Sequence, residues 1–249
     1  MKKNYFSCKS GQFTIGGYEY RIEKDNGIPV ILSHGFLGNQ KRLKSYAEYL
    51  AYMGYVVFTY DFCGGGLMSK SDGKFRDMSL ETEKRDLLYV IDYVARLKYV
   101  NSSKLILVGE SQGGVVSCMV AAERSVDKLI LLYPALCIPD DARKGKMLFM
   151  QFSPENIEDT LKCKLFRFSP DYPKSAIGLD IYDTIAKIIV PILIIHGDND
   201  SIVNIDYAKK AMTIAVNPNS LLIVLDGAKH GFNKRQVKIA NEHIKAYLI

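Results

Sequence analysis

Short apolar runs alternate with stretches of helical periodicity along most of the chain. The run PVILS at residues 29–33 is apolar almost throughout, which is typical of a strand covered on both faces. Elsewhere apolar residues recur at helical spacing, as at Leu87, Ile91 and Val94, and predict amphipathic helices. Further strands are predicted at residues 55–60, 104–108, 128–132, 192–195 and 221–224. Helices are predicted at residues 43–53, 113–124 and 207–216, and two more begin at Ser79 and at about Lys234. Repeated strand–helix units predict an α/β fold with a mostly parallel central sheet flanked by helices.

Two regions depart from this alternation. Residues 13–22 fit an antiparallel hairpin at one edge of the sheet. Residues 134–189 contain no strand–helix unit, but they carry several prolines and too many apolar residues for disorder. We therefore expect a helical cap, inserted after the fourth parallel strand, above the C-terminal edge of the sheet. The core would then comprise residues 1–133 and 190–249.

Composition and charge exclude several classes of protein. The 249 residues are 48% apolar and 24% charged, as in ordinary soluble domains. The net charge of +6 comes from scattered lysines and arginines, whereas nucleic-acid binders gather them on one face. No apolar run approaches the roughly 18 residues of a membrane span, and no signal-peptide core follows the first residues. We expect a cytoplasmic protein that binds neither nucleic acid nor membrane. The sequence leaves the oligomeric state open, and a homodimer is one alternative.

Neither a cofactor nor a metal is predicted. The five cysteines show no C-x-x-C spacing, so the pattern indicates neither a disulfide framework nor a zinc site. The run Gly64-Gly65-Gly66 is not followed by the Lys-Ser or Lys-Thr of a phosphate-binding loop.

Candidate chemical groups follow the predicted strands, at the edge where ligands bind in open α/β sheets. Ser111 lies in G-E-S-Q-G after one strand, Asp198 and Asp200 follow another, and His230 follows the last. This chain order, serine then acid then histidine, is expected of hydrolases with a nucleophile elbow. A serine hydroxyl needs an imidazole to take its proton, and a carboxylate orients that imidazole.

The acid has two candidates. The spacing H-G-x-x-D-x-x-V favours Asp200, and Asp198 is then predicted to be a turn residue. His196 is interpreted as structural because it ends a strand. Backbone N–H groups of Phe36 and Gln112 are predicted to form an oxyanion hole, since they follow the first parallel strand and the serine.

These motifs resemble the α/β-hydrolase superfamily over nearly the whole chain, and within it the small bacterial feruloyl (cinnamoyl) esterases. The matching stretches are HGFLGN, YDFCGGG, SDGKF, GESQGGVV, HGDND and KHGF. The resemblance implies the triad Ser111, Asp200 and His230, with Phe36 and Gln112 as oxyanion donors. It also implies a cap that holds a phenolic ring, with Asp141 and Tyr172 as substrate-binding candidates.

Three positions depart from the group's pattern. Glu110 stands where histidine is frequent, the glycine run 64–66 replaces a sequence that often reads G-H-G, and Asn204 stands where proline is common. None of them touches the triad.

The sequence thus predicts a serine carboxylesterase for a small-molecule, hydroxycinnamoyl-type ester. Alternatives on the same fold are a short-chain esterase or lipase, a thioesterase and a peptidase-like acyl hydrolase. The alternative from another class is a non-catalytic ligand-binding protein.

Overall fold

Eight strands form one central sheet in the computed structural model, which describes residues 1–163 and 165–249. The strands are β1 (Lys2–Ser10), β2 (Phe13–Arg21), β3 (Pro29–Ser33), β4 (Val56–Tyr60), β5 (Ile106–Glu110), β6 (Lys128–Leu132), β11 (Ile192–Gly197) and β12 (Leu221–Leu225). Their order in the sheet is β1-β2-β4-β3-β5-β6-β11-β12. The six strands from β3 onward pair in parallel, while β1 and β2 are antiparallel. The predicted α/β fold with a mostly parallel sheet is confirmed.

Helices cover both faces of this sheet. The core helices are α1 (Lys44–Tyr52), α2 (Leu80–Ala95), α3 (Gln112–Ala121), α7 (Asp206–Ile214) and α8 (Lys234–Leu248). Side chains alternate across β3, so Ile31 joins the cluster under α2 and α3, while Val30 and Leu32 join the cluster under α1 and α8. Among the helices described, none is long and apolar enough to cross a membrane.

The chain changes direction across the sheet at β3. It passes from β3 to β4 on one side and then to β5 on the other. Such a switch opens a crevice at the carboxyl ends of the two diverging strands. The loop that follows β3 and the turn that follows β5 therefore meet there.

The segment between β6 and β11 lies above this crevice. It contains the helices α4 (Ile138–Arg143), α5 (Asp171–Ile177) and α6 (Ile181–Ala186), and the strands β7 (Lys146–Met147), β8 (Met150–Gln151), β9 (Leu161–Cys163) and β10 (Phe166–Phe168). The strands form two small antiparallel ribbons. The cap follows the fourth parallel strand and contains helices, as predicted, but it also contains four short strands that were not predicted. Strands of two or three residues are too short to show a period of two in the sequence.

The N-terminal prediction is wrong in one respect. Residues 13–22 do not form a hairpin by themselves, because Phe13–Arg21 is a single strand that pairs with β1 and β4. The other arm of the hairpin is β1, an edge strand whose side chains are mostly exposed. Its polar sequence carries little of the alternation that identifies a strand.

Two glycines bring α3 against the sheet. A Cβ atom at Gly113 would lie 2.5 Å from the carbonyl oxygens of Ser33 and His34, and one at Gly109 would lie 2.4 Å from the Gly113 oxygen. Any side chain at either position would push α3 away from the end of β3. The close approach places the start of α3 beside the loop that follows β3.

A buried chain of hydrogen bonds joins the cap to the core. The hydroxyl of Tyr172 on α5 donates to the side-chain oxygen of Gln112, whose amide nitrogen donates to the Glu83 carboxyl at 2.8 Å. Glu83 lies on α2 and is buried, as are Gln112 and Tyr172. Burial raises the pKa of Glu83 to about 8, although the hydrogen bond from Gln112 opposes the shift.

This shift predicts a pH-dependent stability. The unfolded chain releases the Glu83 proton near the ordinary pKa of 4.5, while the folded protein keeps it up to about pH 8. The stabilising contribution is therefore complete below about pH 4.5 and is lost as the pH rises to 8, at up to about 1.4 kcal/mol per pH unit. Urea unfolding of the wild type and of Glu83→Gln at pH 5.5 and 8.5 should show a steeper loss of stability in the wild type.

Glu81→Gln, on the exposed first turn of α2, is the matched control and should behave like the wild type. Other titrating groups are common to all three proteins and cancel in the comparison. Equal pH dependence in the wild type and Glu83→Gln would contradict the assignment.

Candidate active site

Ser111 occupies a strained turn between β5 and α3. Its φ of 51° and ψ of −119° are uncommon for a residue with a side chain. The turn is held because the Ser111 N–H donates to the Leu132 oxygen at 3.0 Å, and the Ser111 oxygen accepts from Ala135 at 3.0 Å. This geometry projects the hydroxyl at the end of the sheet, as a nucleophile elbow requires.

The three residues of the predicted triad lie in one hydrogen-bonded chain. The Oγ atom of Ser111 is 2.9 Å from Nε2 of His230, and Nδ1 of His230 is 2.7 Å from Oδ2 of Asp200. With its proton on Nδ1, the neutral imidazole donates to Asp200 and offers the lone pair of Nε2 to the Ser111 hydroxyl. The arrangement can therefore move the hydroxyl proton onto the imidazole.

Asp200 is held as a buried anion by several donors. Its Oδ1 atom accepts from the N–H groups of Ile202 and Val203, both at 2.9 Å, and Oδ2 accepts from His230. Burial by itself would raise its pKa, but hydrogen bonds from His196 and His230 outweigh this effect and place the pKa well below its usual range. Asp200 thus stays ionised beside the imidazole.

Sequence reasoning missed the contact of His196 with this site. Its Nε2 atom lies 3.3 Å from Oδ2 of Asp200 and 3.0 Å from the Val203 oxygen. The H-G-x-x-D spacing, which places His196 four residues before Asp200, is the signal that could have indicated it. Asp198 accepts the Gly227 N–H at 2.7 Å, so it ties two loops together and lies outside the triad chain.

The loop after β3 lies directly against Ser111. A Cβ atom at Gly35 would be 3.0 Å from Cβ of Ser111. Buried His34 shapes the loop, because its Nδ1 atom donates to the Gly35 oxygen at 2.8 Å and its Nε2 atom accepts the Phe62 N–H at 3.1 Å. Burial lowers the pKa of His34, which is consistent with this neutral tautomer.

The two residues predicted as oxyanion donors line the same cavity as Ser111. Phe36 follows Gly35 in the loop, and Gln112 is the first residue of α3, where N–H groups have no acceptor within the helix. The positive end of the helix dipole at Gln112 also favours a developing negative charge.

A cavity of about 220 Å³ opens beside Ser111 under the cap. Asp141 and Tyr172 both line it, as do Phe36 and Gln112. The rings of Phe36 and Tyr172 stack at 5.6 Å between centroids. Three exposed apolar side chains also line the cavity, those of Leu148, Phe149 and Ile202.

The thiol of Cys137 lines the same cavity but does not compete with Ser111 as a nucleophile. Burial, and then the neighbouring Asp141, raise the pKa of this thiol. A protonated thiol is a poor nucleophile. Across the residues that the structure describes, no group of three or more His, Cys, Asp or Glu side chains could hold a metal ion.

Comparison with known proteins places this chain in a family. The family model Hydrolase_4, described as serine aminopeptidase, S33, matches residues 27–164. The structure of Est1E from Butyrivibrio proteoclasticus with ferulic acid bound is 27% identical with a TM-score of 0.89, and the match covers 98% of this chain and 97% of Est1E. Monoglyceride lipase of Homo sapiens is 23% identical over 253 residues, covering 89% of this chain and 82% of the lipase.

The Pyrococcus furiosus esterase Pf2001 is 21% identical with a TM-score of 0.72, covering 99% of this chain and 90% of the esterase, a likeness that shows the fold alone. The family match spans more than half of the residues, and Est1E superposes over nearly all of them. The chain therefore belongs to the Hydrolase_4 family, serine aminopeptidase S33, and is an α/β hydrolase of the esterase/lipase type.

Proposed function

We propose that the protein is a serine carboxylesterase that cleaves small hydroxycinnamoyl-type esters through an acyl-enzyme on Ser111. The observation that carries the proposal is the continuous hydrogen-bond chain from Ser111 through His230 to the buried carboxylate of Asp200. A ligand-binding protein without catalysis has no need to keep this chain intact in a strained turn.

The reaction follows from the geometry. Oγ of Ser111 attacks the ester carbon while its proton passes to Nε2 of His230, and the carbonyl oxygen becomes an oxyanion. The backbone N–H groups of Phe36 and Gln112 stabilise that oxyanion. The C–O bond then breaks as His230 returns the proton to the leaving alkoxide. A water molecule, deprotonated by His230, attacks the acyl-enzyme in the same manner and releases the acid.

The cavity favours a small, flat acyl group. At about 220 Å³ it is smaller than the usual site for a drug-sized ligand. The stacked rings of Phe36 and Tyr172 offer an apolar wall suited to an aromatic acid. The similarity to Est1E, whose structure was solved with ferulic acid, supports the same acyl class.

The two cap residues have different proposed roles. The hydroxyl of Tyr172 donates to the side chain of Gln112, and Tyr172 contributes its ring to the cavity. Asp141 lines the same cavity and, as a carboxylate, accepts a hydrogen bond from a phenolic hydroxyl.

A second candidate is a monoacylglycerol or other short-chain esterase. The exposed apolar residues at the mouth of the cavity and the similarity to human monoglyceride lipase favour it. Both candidates use the same triad and differ only in the acyl group that the cavity accepts.

The first prediction from the proposed function concerns the nucleophile. The wild type should hydrolyse p-nitrophenyl butyrate and react with a fluorophosphonate probe, whereas Ser111→Ala should lose both, with kcat reduced by about 10³-fold or more. Ser117→Ala, which changes a buried serine on α3 that bonds the Gly113 oxygen, is the control and should still be labelled. A wild type that resists the probe would favour the non-catalytic binding protein.

A second prediction distinguishes the acids. Asp200→Asn should lower kcat by roughly 10³- to 10⁴-fold, because the imidazole loses the partner that fixes its tautomer. Asp198→Asn should stay within about threefold of the wild type, since its carboxylate only holds the Gly227 turn. Comparable losses in the two variants would contradict the assignment of Asp200.

A third prediction tests the acyl group. The wild type should give a higher kcat/KM with methyl ferulate than with methyl 3,4-dimethoxycinnamate, which lacks the hydroxyl donor, and than with monobutyrin or alanine p-nitroanilide. Asp141→Asn should lower the ferulate preference by about tenfold, as expected for a hydrogen bond to a charged group. Activity on p-nitrophenyl butyrate should be unchanged.

The control is Asp140→Asn, because the Asp140 side chain is exposed and pairs with Arg143. It should keep the wild-type preference. Faster turnover of monobutyrin than of ferulate would favour the short-chain esterase, and turnover of the anilide would favour a peptidase.

A further inference from the structure

Glu110 is a buried carboxylate next to the nucleophile for which the proposed reaction has no direct use. It is the last residue of β5, and its side chain is 3% exposed. A buried carboxylate destabilises the fold unless it is paired and hydrogen-bonded. Its partners therefore indicate what it does.

Three donors from three segments converge on this carboxylate. Oε1 accepts from the Gly35 N–H and from Nε of Arg42, both at 3.2 Å. Oε2 accepts from the hydroxyl of Tyr133 at 2.8 Å. Gly35 lies in the loop after β3, Arg42 in the helical turn Gln40–Leu43, and Tyr133 directly after β6.

The bond to Gly35 acts on the loop after β3 that carries Gly35 and Phe36, called the oxyanion loop below. The Gly35 oxygen accepts from His34 and from the Gly38 N–H at 2.9 Å, so both peptide groups of Gly35 are held once Glu110 binds its N–H. The Gly35 oxygen and the Phe36 N–H belong to one planar trans peptide and point in opposite directions. Holding Gly35 on both sides therefore sets the direction of the Phe36 N–H.

The bond to Tyr133 acts on the histidine. The Tyr133 ring packs edge-to-face on the His230 ring at 5.1 Å between centroids. Tyr133 has a φ of 37°, an uncommon conformation that needs support from its surroundings. Burial, and then Glu110, raise the pKa of Tyr133, so its hydroxyl keeps the proton that it donates.

We propose that Glu110 is a positioning residue that fixes the oxyanion loop and the His230 ring in their positions relative to Ser111. One carboxylate with two oxygens spans the distance between the Gly35 N–H and the Tyr133 hydroxyl. The inference rests on the proposed function, because it assigns Glu110 a part in the reaction of Ser111.

The test separates the reach of the side chain from its charge. Glu110→Gln keeps the reach: its amide oxygen accepts from Gly35 and Arg42, and its NH₂ group donates to the Tyr133 oxygen. Glu110→Asp keeps the charge, but it is one methylene shorter and cannot serve Gly35 and Tyr133 together. The first readouts are kcat and KM for p-nitrophenyl butyrate, with kcat calculated per active serine as titrated with a fluorophosphonate. The third readout is the Ki of a trifluoromethyl ketone that forms a tetrahedral adduct.

We expect Glu110→Asp to lower kcat by roughly 30- to 300-fold, in the range of a weakened oxyanion donor. Its KM should change by less than about threefold, and the Ki of the ketone should rise in proportion to the loss of kcat/KM. Glu110→Gln should stay within about fivefold of the wild-type kcat, which is the cost expected for weaker neutral hydrogen bonds.

Two results would overturn the inference. A Glu110→Asp variant with wild-type kcat and Ki but a lower melting temperature would give Glu110 a structural role only. A Glu110→Gln variant slower than Glu110→Asp would assign the effect to charge. Failure of the proposed function is distinct, because the wild type itself would then hydrolyse no ester.

Discussion

The left-handed backbone of Ser111 is the constraint on which the rest of the site depends. A residue with a side chain pays roughly 1–3 kcal/mol to adopt such a conformation, so the surroundings must hold it. Here β5 enters the turn from the centre of the sheet, α3 leaves it against the end of β3, and the Ser111 peptide groups are bonded to the chain around β6. The hydroxyl is then fixed by elements of the core. The loop after β3, Asp200 after β11 and His230 after β12 are brought to this hydroxyl from three other strand ends.

Two buried carboxylates bind donors from several segments around this site. Asp200 accepts from two backbone N–H groups and lies against two imidazoles, and Glu110 accepts from a backbone N–H, a guanidinium and a phenol. Each is surrounded by donors, which is the condition under which a buried anion is tolerated. Such anions order the groups around them, since moving any donor leaves charge unpaired. The loops of this site are therefore tied to the sheet through charges as well as through packing.

The sequence predicts those parts of the molecule whose structure is determined by a few consecutive residues. Apolar runs identified the buried strands, and glycines around Ser111 identified the turn, because a close backbone approach excludes side chains. The strand predicted at 104–108 lies instead at Ile106–Glu110, since a short helical turn capped by Asn101, Ser102–Lys104, includes the first residue of the predicted strand. The edge strand β1 and the cap strands escaped prediction because the first is too polar and the others are too short to show the alternation of a strand. The contact of His196 with Asp200 was missed although the two residues are four apart, because the spacing alone does not fix the direction of a side chain.

The division between core and cap is less complete than the topology suggests. Gln112 connects two parts of the molecule: its backbone N–H is a proposed oxyanion donor, and its side chain joins Tyr172 of the cap to Glu83 of α2. The ring of Tyr172 in turn stacks on Phe36, the residue of the other proposed oxyanion donor. This wall of the cavity is thus bonded to Gln112 and packed against Phe36, the residues of the two proposed donors. Under the proposed function, a substrate whose acyl group packs against this wall also restrains the two residues that carry those N–H groups. The proposed function therefore predicts that recognition of the acyl group affects kcat as well as binding.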